Sequence, residues 1–407
     1  LYWEVCCVIE VYMAKKDLEL YIHIPFCVKK CDYCDFLSFP AEEKLQEDYV
    51  EALKKELDFY GTKYKERKIT TIFIGGGTPS WLSGDLMLKI METVHENFVV
   101  DRDAEITIEC NPGTVTDRKF EIYKETGINR LSIGLQSAHN EELKRIGRIH
   151  TYEQFLKTYD MARKHGFSNV NIDLMSSLPG QTSLIFADTL KKVIQLKPEH
   201  ISAYSLIIEE GTPFYRKYEE DAIRQEKGEP TQFLPSEEEE YQTTKMTQRI
   251  LKEAGYHWYE ISNFATQGYE CKHNINYWKL GEYIGFGVAA HSFYNGTRIS
   301  GFNHFENYYQ FIKERYILRI VPKIKPEQEK LTDSQKIEEC LMLGLRQTKG
   351  VNLKKLLKFG YDLLNDKKDI IKNLKKCNFI DYNKEYLFIT PQSSGATNQI
   401  ILNLLPD

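Results

Sequence analysis

The chain has 407 residues, of which 42 % are hydrophobic and 28 % are charged, so it is long enough for two or three globular domains. Its formal net charge is −5 and its pI is about 6.1, which gives no electrostatic reason to expect a nucleic-acid partner. No run of about eighteen apolar residues could span a membrane, and we expect at most peripheral membrane contact.

The cysteine pattern and the N-terminus indicate where the protein works. The nine cysteines are an odd number with a single cluster, which disfavours a disulfide framework and favours a reducing, cytoplasmic compartment. Residues 1–12 lack the basic start and the cleavage site of a secretory signal. Met13 is followed by Ala-Lys-Lys, as at a true start, and we therefore expect residues 1–12 to be a spurious leader.

Hydrophobic residues alternate between strand and helix periodicity along the first half of the chain. The pattern predicts strands at 18–24, 70–74, 105–109, 130–135, 170–174 and 200–206. Between them it predicts helices at 41–60, 82–98, 117–126, 151–165 and 183–196. Because strands that alternate with helices form parallel sheets, the six predicted strands indicate an α/β fold with a partial or full barrel.

The second half of the chain is less regular. Residues 215–245 are rich in charge and predict exposed helices, 256–262 predict a strand, and the glycine-rich segment 281–295 suits a close approach of backbones. Beyond a Pro- and Lys-rich boundary, three helices, a hairpin at 379–389 and a last helix resemble a winged helix. We therefore divide the chain into a core at 13–240, an extension at 241–322 and a small, mostly helical domain at 323–407.

Three cysteines follow the first predicted strand. Cys27, Cys31 and Cys34 have three and then two residues between them, a spacing that can bring three sulfurs to one metal centre. We interpret it as a loop that holds a [4Fe–4S] cluster by three thiolates and leaves the fourth iron open. A structural zinc with His23 as fourth ligand is the alternative. It is disfavoured because His23 lies on the strand itself and no second Cys-x2-Cys pair follows.

Other chemically capable residues lie at or after the ends of the predicted strands. Gly75-Gly-Gly-Thr78 would let a ligand approach the backbone, and Glu109, Gln136 and Asp173 are polar residues that end strands. Since the carboxyl ends of parallel strands meet at one edge, we expect these residues to converge on the cysteine loop. Arg148 could bind a carboxylate. Taken singly, the glycine segment is equally explained as an ordinary turn and Arg148 as a surface charge. Each of the three strand-end residues, taken singly, is more often a helix cap or a loop residue.

A last motif lies in the extension. His273-Asn-Ile-Asn-Tyr277-Trp278 combines an imidazole, amides and two aromatic rings. Such residues could line a site for a flat aromatic ligand, and imidazole can bind iron. On local grounds alone, a hydrogen-bonded loop beside aromatic core residues is the simpler explanation.

Taken together, these motifs resemble the radical S-adenosylmethionine (SAM) enzymes. The three-cysteine spacing with an aromatic residue before Cys34 is the signature of that superfamily. The segments 21–26, 75–79, 108–112, 132–137 and 171–175 are similar to one branch, which contains the oxygen-independent coproporphyrinogen III oxidases and the haem chaperones of the HemW type. The resemblance implies a radical SAM partial (β/α)6 barrel, a [4Fe–4S] cluster and bound SAM.

The resemblance also implies roles for individual residues. Tyr21 would lie beside the cluster and Tyr33 beside the adenine of SAM. The methionine part of SAM would contact Gly76, Gly77 and Thr78. The polar groups of SAM, in this site or in a second one, would be held by Glu109, Gln136, Arg148 and Asp173. An electron donor such as flavodoxin or ferredoxin would reduce the cluster, and one electron would cleave SAM to a 5′-deoxyadenosyl radical.

Two departures from the oxidases favour the chaperones. The oxidases carry a further cysteine two positions after the third, where this chain has Phe36, and a long segment before the first strand. The His273 motif matches the one associated with HemW-type proteins, which implies haem as cargo, His273 as an iron ligand and recipient haem proteins such as cytochromes. The alternatives are an enzyme that converts coproporphyrinogen III to protoporphyrinogen IX and, less consistent with the acidic charge, a zinc-stabilised DNA-binding protein.

Overall fold

The computed structural model describes residues 17–406, and the expected leader at 1–12 lies outside them. Its centre is a parallel sheet in which each of six strands pairs with the next in chain order. These strands are β1 Asp17–Ile24, β2 Lys68–Gly76, β3 Val99–Cys110, β4 Arg130–Gln136, β5 Val170–Ser176 and β6 His200–Ser205. The α/β prediction is therefore confirmed. The barrel is open, because β1 and β6 pair with other strands and, in the described residues, not with each other.

Helices connect these strands. They are α1 Glu43–Lys63, α2 Gly84–Asn97, α3 Asp117–Glu125, α4 Asn140–Arg145, α5 Tyr152–Lys164 and α6 Ser183–Gln195. The short helix α4 was not predicted. The first helix was predicted to end at residue 60, but α1 continues through Gly61 to Lys63. A Cβ on Gly61 would collide with Asn97 at the end of α2. Its lack of a side chain lets the two helices approach closely.

Further strands extend the sheet at both edges. The chain continues with α7 Pro213–Glu226, α8 Glu237–Glu253, β7 His257–Glu260, β8 Asn263–Ala265, α9 Lys272–Trp278, β9 Tyr283–Phe286, β10 Ser292–Tyr294, β11 Thr297–Ile299, α10 Phe305–Ile312 and β12 Gln328–Lys330. The order across the sheet is β12-β11-β10-β9-β1-β2-β3-β4-β5-β6-β8-β7. Strand β9 pairs with β1 in parallel, so the glycine-rich segment forms part of the sheet rather than a loop.

The C-terminal region has a hydrophobic core of its own. Its elements are α11 Asp333–Gly344, β13 Val351–Asn352, α12 Leu353–Lys358, α13 Leu363–Asp366, α14 Lys368–Lys376, β14 Ile380–Tyr382, β15 Tyr386–Ile389 and α15 Thr397–Leu404. The three strands form a separate small sheet in the order β13-β15-β14. Leu280, which precedes β9, and Phe293, which lies in β10, belong to the same buried cluster. The C-terminal region therefore packs directly against the extension.

The two faces of the central sheet differ in character. Leu18, Leu20 and Ile22 of β1 are buried in the main hydrophobic core. Their neighbours Glu19 and His23 are buried on the opposite face, since successive side chains of a strand point to opposite sides. The concave face of the open barrel is therefore polar. The described residues include no helix that is long and apolar enough to cross a membrane.

One buried carboxyl joins α1 to the extension. Glu56 Oε2 accepts hydrogen bonds from the Gly287 amide at 2.9 Å and from the Tyr308 hydroxyl at 2.9 Å. Burial raises the pKa of Glu56 from its usual 4.5 to about 7. The folded state therefore binds this proton more tightly than the unfolded state does. The protonated Glu56 carboxyl therefore stabilises the folded state fully below pH 4.5, and this contribution is lost as the pH rises to about 7.

We expect Glu56→Gln to remove this pH dependence. Relative to the variant, the wild-type free energy of unfolding should fall by about 1–3 kcal/mol as the pH rises from 4.5 to 7. Urea unfolding of both proteins, without cofactors, at several pH values measures the difference. If the free energies of unfolding of the wild type and the variant differ by the same amount at every pH, the raised pKa of Glu56 is contradicted.

Candidate functional site

The three cysteines of the loop line a cavity of about 150 Å³ at the carboxyl ends of the parallel strands. Of the residues assigned to the cluster or to SAM, all except Tyr21 line it: Cys27, Cys31, Tyr33, Cys34, Gly76, Gly77, Thr78, Glu109, Gln136, Arg148 and Asp173. They come from five separate strand ends and from the connections that follow them. The expected convergence on one edge of the sheet is what the structure shows.

Backbone hydrogen bonds fix the start of the cysteine loop. The amide of Gly77 donates to Ile24 O at 2.8 Å, and the amide of Thr78 donates to Phe26 O at 2.7 Å. A Cβ on Gly77 would lie 2.8 Å from Phe26 O, so only glycine allows this approach. Cys27 N in turn donates to Phe39 O at 3.0 Å. The turn after β2 thus holds the loop after β1 in place.

The rest of the loop is held from the other side of the cavity. The Asp32 amide donates to Ile146 O at 3.3 Å, and Asp32 O accepts from the Phe214 amide at 2.9 Å. Gly147 has a positive φ of 76°, and a Cβ there would lie 2.9 Å from Asp32 Oδ1. The loop therefore contacts α4, the turn after it and the start of α7.

The thiols have the chemistry that an iron–sulfur cluster needs. All seven cysteines that the structure describes are free, Thr78 Oγ1 donates to Cys27 Sγ at 3.4 Å, and Arg148 Nη1 lies 3.8 Å from Cys31 Sγ. Within residues 17–406, no three Cys, His, Asp or Glu side chains converge tightly enough for a single metal ion. The three thiols line one cavity, and thiolates are the ligands that hold iron–sulfur clusters.

Two carboxyl groups line the same cavity as the thiols. Glu109 Oε2 accepts the Gly76 amide at 3.0 Å, and Asp173 accepts from Ser132 Oγ at 3.0 Å and from Asn171 Nδ2 at 2.8 Å. Burial, with repulsion from Asp173, raises the pKa of Glu109 to about 8. Burial also raises the pKa of Asp173. A ligand that brings a positive charge or hydroxyl donors would relieve both groups.

Arg148 supplies the opposite charge. Its Nη2 donates to Asn111 Oδ1 and to Gly134 O, while its Nε is enclosed and has no hydrogen-bond partner. The guanidinium lines the cavity, where its charge could bind a carboxylate. A Cβ on Gly134 would lie 2.9 Å from Arg148 Nη2, so glycine makes room for the guanidinium.

The structure adds residues that the sequence analysis did not single out. Tyr204, Asn111, Ser132 and Cys110 also line the cavity. Tyr204 donates to Gln136 Oε1 at 2.8 Å, and Gln136 holds a left-handed φ of 71° that places it there. Tyr204 and Asn111 lie at strand ends, so the rule that found Glu109 could have found them too.

Tyr21 and His273 lie elsewhere. Tyr21 faces a neighbouring pocket and shares a hydrogen bond with His23 Nδ1 at 3.1 Å. His273 is 1 % exposed. Its Nδ1 is 2.6 Å from Thr71 Oγ1, and its Nε2 is 2.8 Å from Tyr277 Oη. In this structure neither ring nitrogen of His273 is free to bind iron, so its role as a ligand remains a prediction.

His273 is held in place by the interior of the barrel. Its ring stacks on Phe73 with centroids 5.3 Å apart, and burial lowers the pKa of its imidazole to about 3. Glu105 on β3 accepts the amides of Lys272 and His273 at 3.1 and 3.2 Å. Helix α9 therefore fills the concave face of the sheet rather than lining the cysteine cavity.

We expect Cys27→Ala, Cys31→Ala and Cys34→Ala each to abolish iron binding after anaerobic reconstitution with iron and sulfide. The wild type should hold about four irons per chain. Cys110→Ser is the matched control, because Cys110 lines the same cavity but lies outside the loop, and burial raises the pKa of its thiol. Loss of iron in the control, or its retention in any loop variant, would contradict the assignment.

Comparisons with known proteins agree with this geometry. The model of the radical SAM superfamily matches residues 21–193, and that of the HemN C-terminal domain matches residues 331–393. The solved structure of coproporphyrinogen III oxidase (HemN) from Escherichia coli, a radical SAM enzyme, has a TM-score of 0.80. It is 23 % identical and covers 96 % of this chain and 90 % of that chain. This likeness establishes the fold.

Curated relatives establish the family. The haem chaperone HemW of Bacillus subtilis (strain 168) is 34 % identical over 383 residues, which are 93 % of this chain and 97 % of that protein. HemW of Escherichia coli (strain K12) is 42 % identical over 275 residues, which are 67 % of this chain and 69 % of that protein. Fold, cysteine loop and full-length similarity thus agree, and the chain belongs to the radical SAM superfamily and, within it, to the family of the haem chaperones HemW.

Proposed function

We propose that this protein is a haem chaperone: it carries a [4Fe–4S] cluster and SAM in the cysteine cavity, binds haem and transfers it to haem proteins. The observation that carries the proposal is the match to the Bacillus subtilis HemW over 97 % of that protein's length. The lining of the cysteine cavity supports the cofactor part of the proposal. Every thiol and nearly every polar residue expected of a SAM site is present there.

The residues of the cavity divide the work of holding the cofactors. Cys27, Cys31 and Cys34 would bind the cluster, which when reduced supplies the electron for radical chemistry on SAM. Gly76 and Gly77 would admit the ligand close to the backbone, and the remaining polar groups would orient it: Thr78, Glu109, Gln136, Arg148 and Asp173. Tyr33 and Tyr204 would provide aromatic walls that exclude water.

Phe36 argues against the oxidase alternative. It stands where the oxidases have a further cysteine, and its side chain is 68 % exposed at the mouth of the cavity. The likeness to the oxidase HemN is one of fold at 23 % identity, and an active site is not inferred from fold alone. Conversion of coproporphyrinogen III to protoporphyrinogen IX is therefore the second candidate and is not the function we propose.

We further propose a cytoplasmic location and two kinds of protein partner. The free thiols of the described cysteines suit a reducing compartment. A low-potential electron donor such as flavodoxin or ferredoxin would reduce the cluster. Recipient haem proteins such as respiratory cytochromes would accept the cargo.

A paired assay on the reconstituted protein tests the function. With haem we expect a saturable Soret band of one haem per chain, and transfer of that haem to an apo-cytochrome should follow. With coproporphyrinogen III, SAM and a reductant we expect no protoporphyrinogen IX. Formation of that product, or failure of the wild-type protein to bind haem, would overturn the proposal.

We expect Glu109→Gln to weaken SAM binding without loss of the cluster. Loss of a hydrogen bond to a charged ligand group costs about 1.5–3 kcal/mol, or roughly 10- to 100-fold in affinity. Equilibrium dialysis with labelled SAM and an iron assay on the same samples separate the two effects. Glu237→Gln is the control, since Glu237 is exposed in the first turn of α8. Equal affinity in the Glu109 variant and the control would remove Glu109 from the site.

A further inference from the structure

A second, larger pocket adjoins the cysteine cavity. Its volume is about 590 Å³, within the range of about 300–1,000 Å³ that is typical of small-molecule sites. The residues that line it come from β1, the cysteine loop, α9 and the segment around β9: Tyr21, His23, Lys30, Asp35, Phe36, Leu37, Tyr277, Tyr283, Ala289, His291 and Asn303. Phe36 lines both cavities, so the two sites are immediate neighbours.

This pocket presents one histidine in a state suited to bind a metal. His291 is exposed, and among the hydrogen bonds of residues 17–406 none engages its ring nitrogens. His291 lies between β9 and β10, next to Ser292. His273, by contrast, is buried with both nitrogens engaged. His291 is therefore the histidine that can bind a ligand without rearrangement of the fold.

The remaining lining suits a flat, partly anionic ring system. Three tyrosines, Tyr21, Tyr277 and Tyr283, and the exposed ring of Phe36 offer aromatic faces for stacking. Lys30 provides a cation for an acidic substituent, while Asp35 lines the same rim. These features match an iron porphyrin, which has an apolar ring, two propionates and a metal that accepts a neutral imidazole.

We propose that His291, and not His273, is the protein ligand of haem iron, and that the haem lies in the pocket beside the cysteine loop. The inference rests on the proposed function, because it names the cargo as haem. Partial desolvation and the nearby Arg298 lower the pKa of His291, which favours the neutral imidazole that a metal can bind.

His273 then acts as a positioning residue. Its Nε2 lies 2.8 Å from the hydroxyl of Tyr277, and Tyr277 packs against Tyr283 with ring centroids 4.6 Å apart. Both tyrosines line the pocket. Loss of His273 would therefore disturb the porphyrin site through Tyr277, although the imidazole of His273 does not touch the iron.

Haem titration of His291→Gly, His273→Ala and a control separates the two histidines. The control is His304→Ala, because His304 is an exposed residue at the start of α10 with no capping hydrogen bond from its side chain. We expect His291→Gly to lose the histidine-ligated Soret and visible bands, and added imidazole to restore them. His273→Ala should keep those bands, with weaker affinity and a lower melting temperature, and imidazole should not rescue it.

Metal-free protoporphyrin IX provides the second readout, by quenching of protein fluorescence. Its affinity should be unchanged in His291→Gly, since it has no iron to bind, and reduced in His273→Ala. Retention of the histidine-ligated bands in His291→Gly would overturn the assignment of His291 as the iron ligand. Rescue of His273→Ala by imidazole would overturn it too. In both cases the proposed function would still stand. If the wild-type protein binds no haem, the proposed function itself has failed, so the two failures are distinguishable.

Discussion

The contact on which this structure depends is the pair of backbone hydrogen bonds that joins the turn after β2 to the loop after β1. Gly77 and Thr78 donate to Ile24 and Phe26, and a side chain on Gly77 would prevent it. The three thiols follow directly from the strand end that these bonds fix. The same turn offers the Gly76 amide to Glu109, so one short stretch of backbone positions both walls of the cavity.

The polar concave face of the open barrel is the second constraint. Buried polar groups need partners, and α9 provides several of them. Glu105 accepts the first amides of α9, and the His273 ring meets Thr71 and Phe73. The helix is thereby held against the inside of the sheet, and Tyr277 at its far end reaches the second pocket.

The two pockets share the cysteine loop, and this arrangement has a consequence for function. Phe36 stands on the rim of both, at the position where the resembling oxidases have a cysteine. A large apolar ring there adds a stacking surface to the second pocket instead of another thiol to the first. One residue of the loop thus contributes to the second pocket, while Cys27, Cys31 and Cys34 line the first.

The sequence by itself predicted the six parallel strands and most of the residues that line the cysteine cavity. The six parallel strands follow from periodicity, and the residues from Cys27 to Asp173 converge because parallel strands bring their carboxyl ends together. Only the tertiary structure decided the state of each histidine. His273 and His291 are both near aromatic residues in the sequence, but whether a ring nitrogen is free depends on partners far away in the chain. For His273 that partner is Thr71, 202 residues earlier, and no local pattern encodes such a contact.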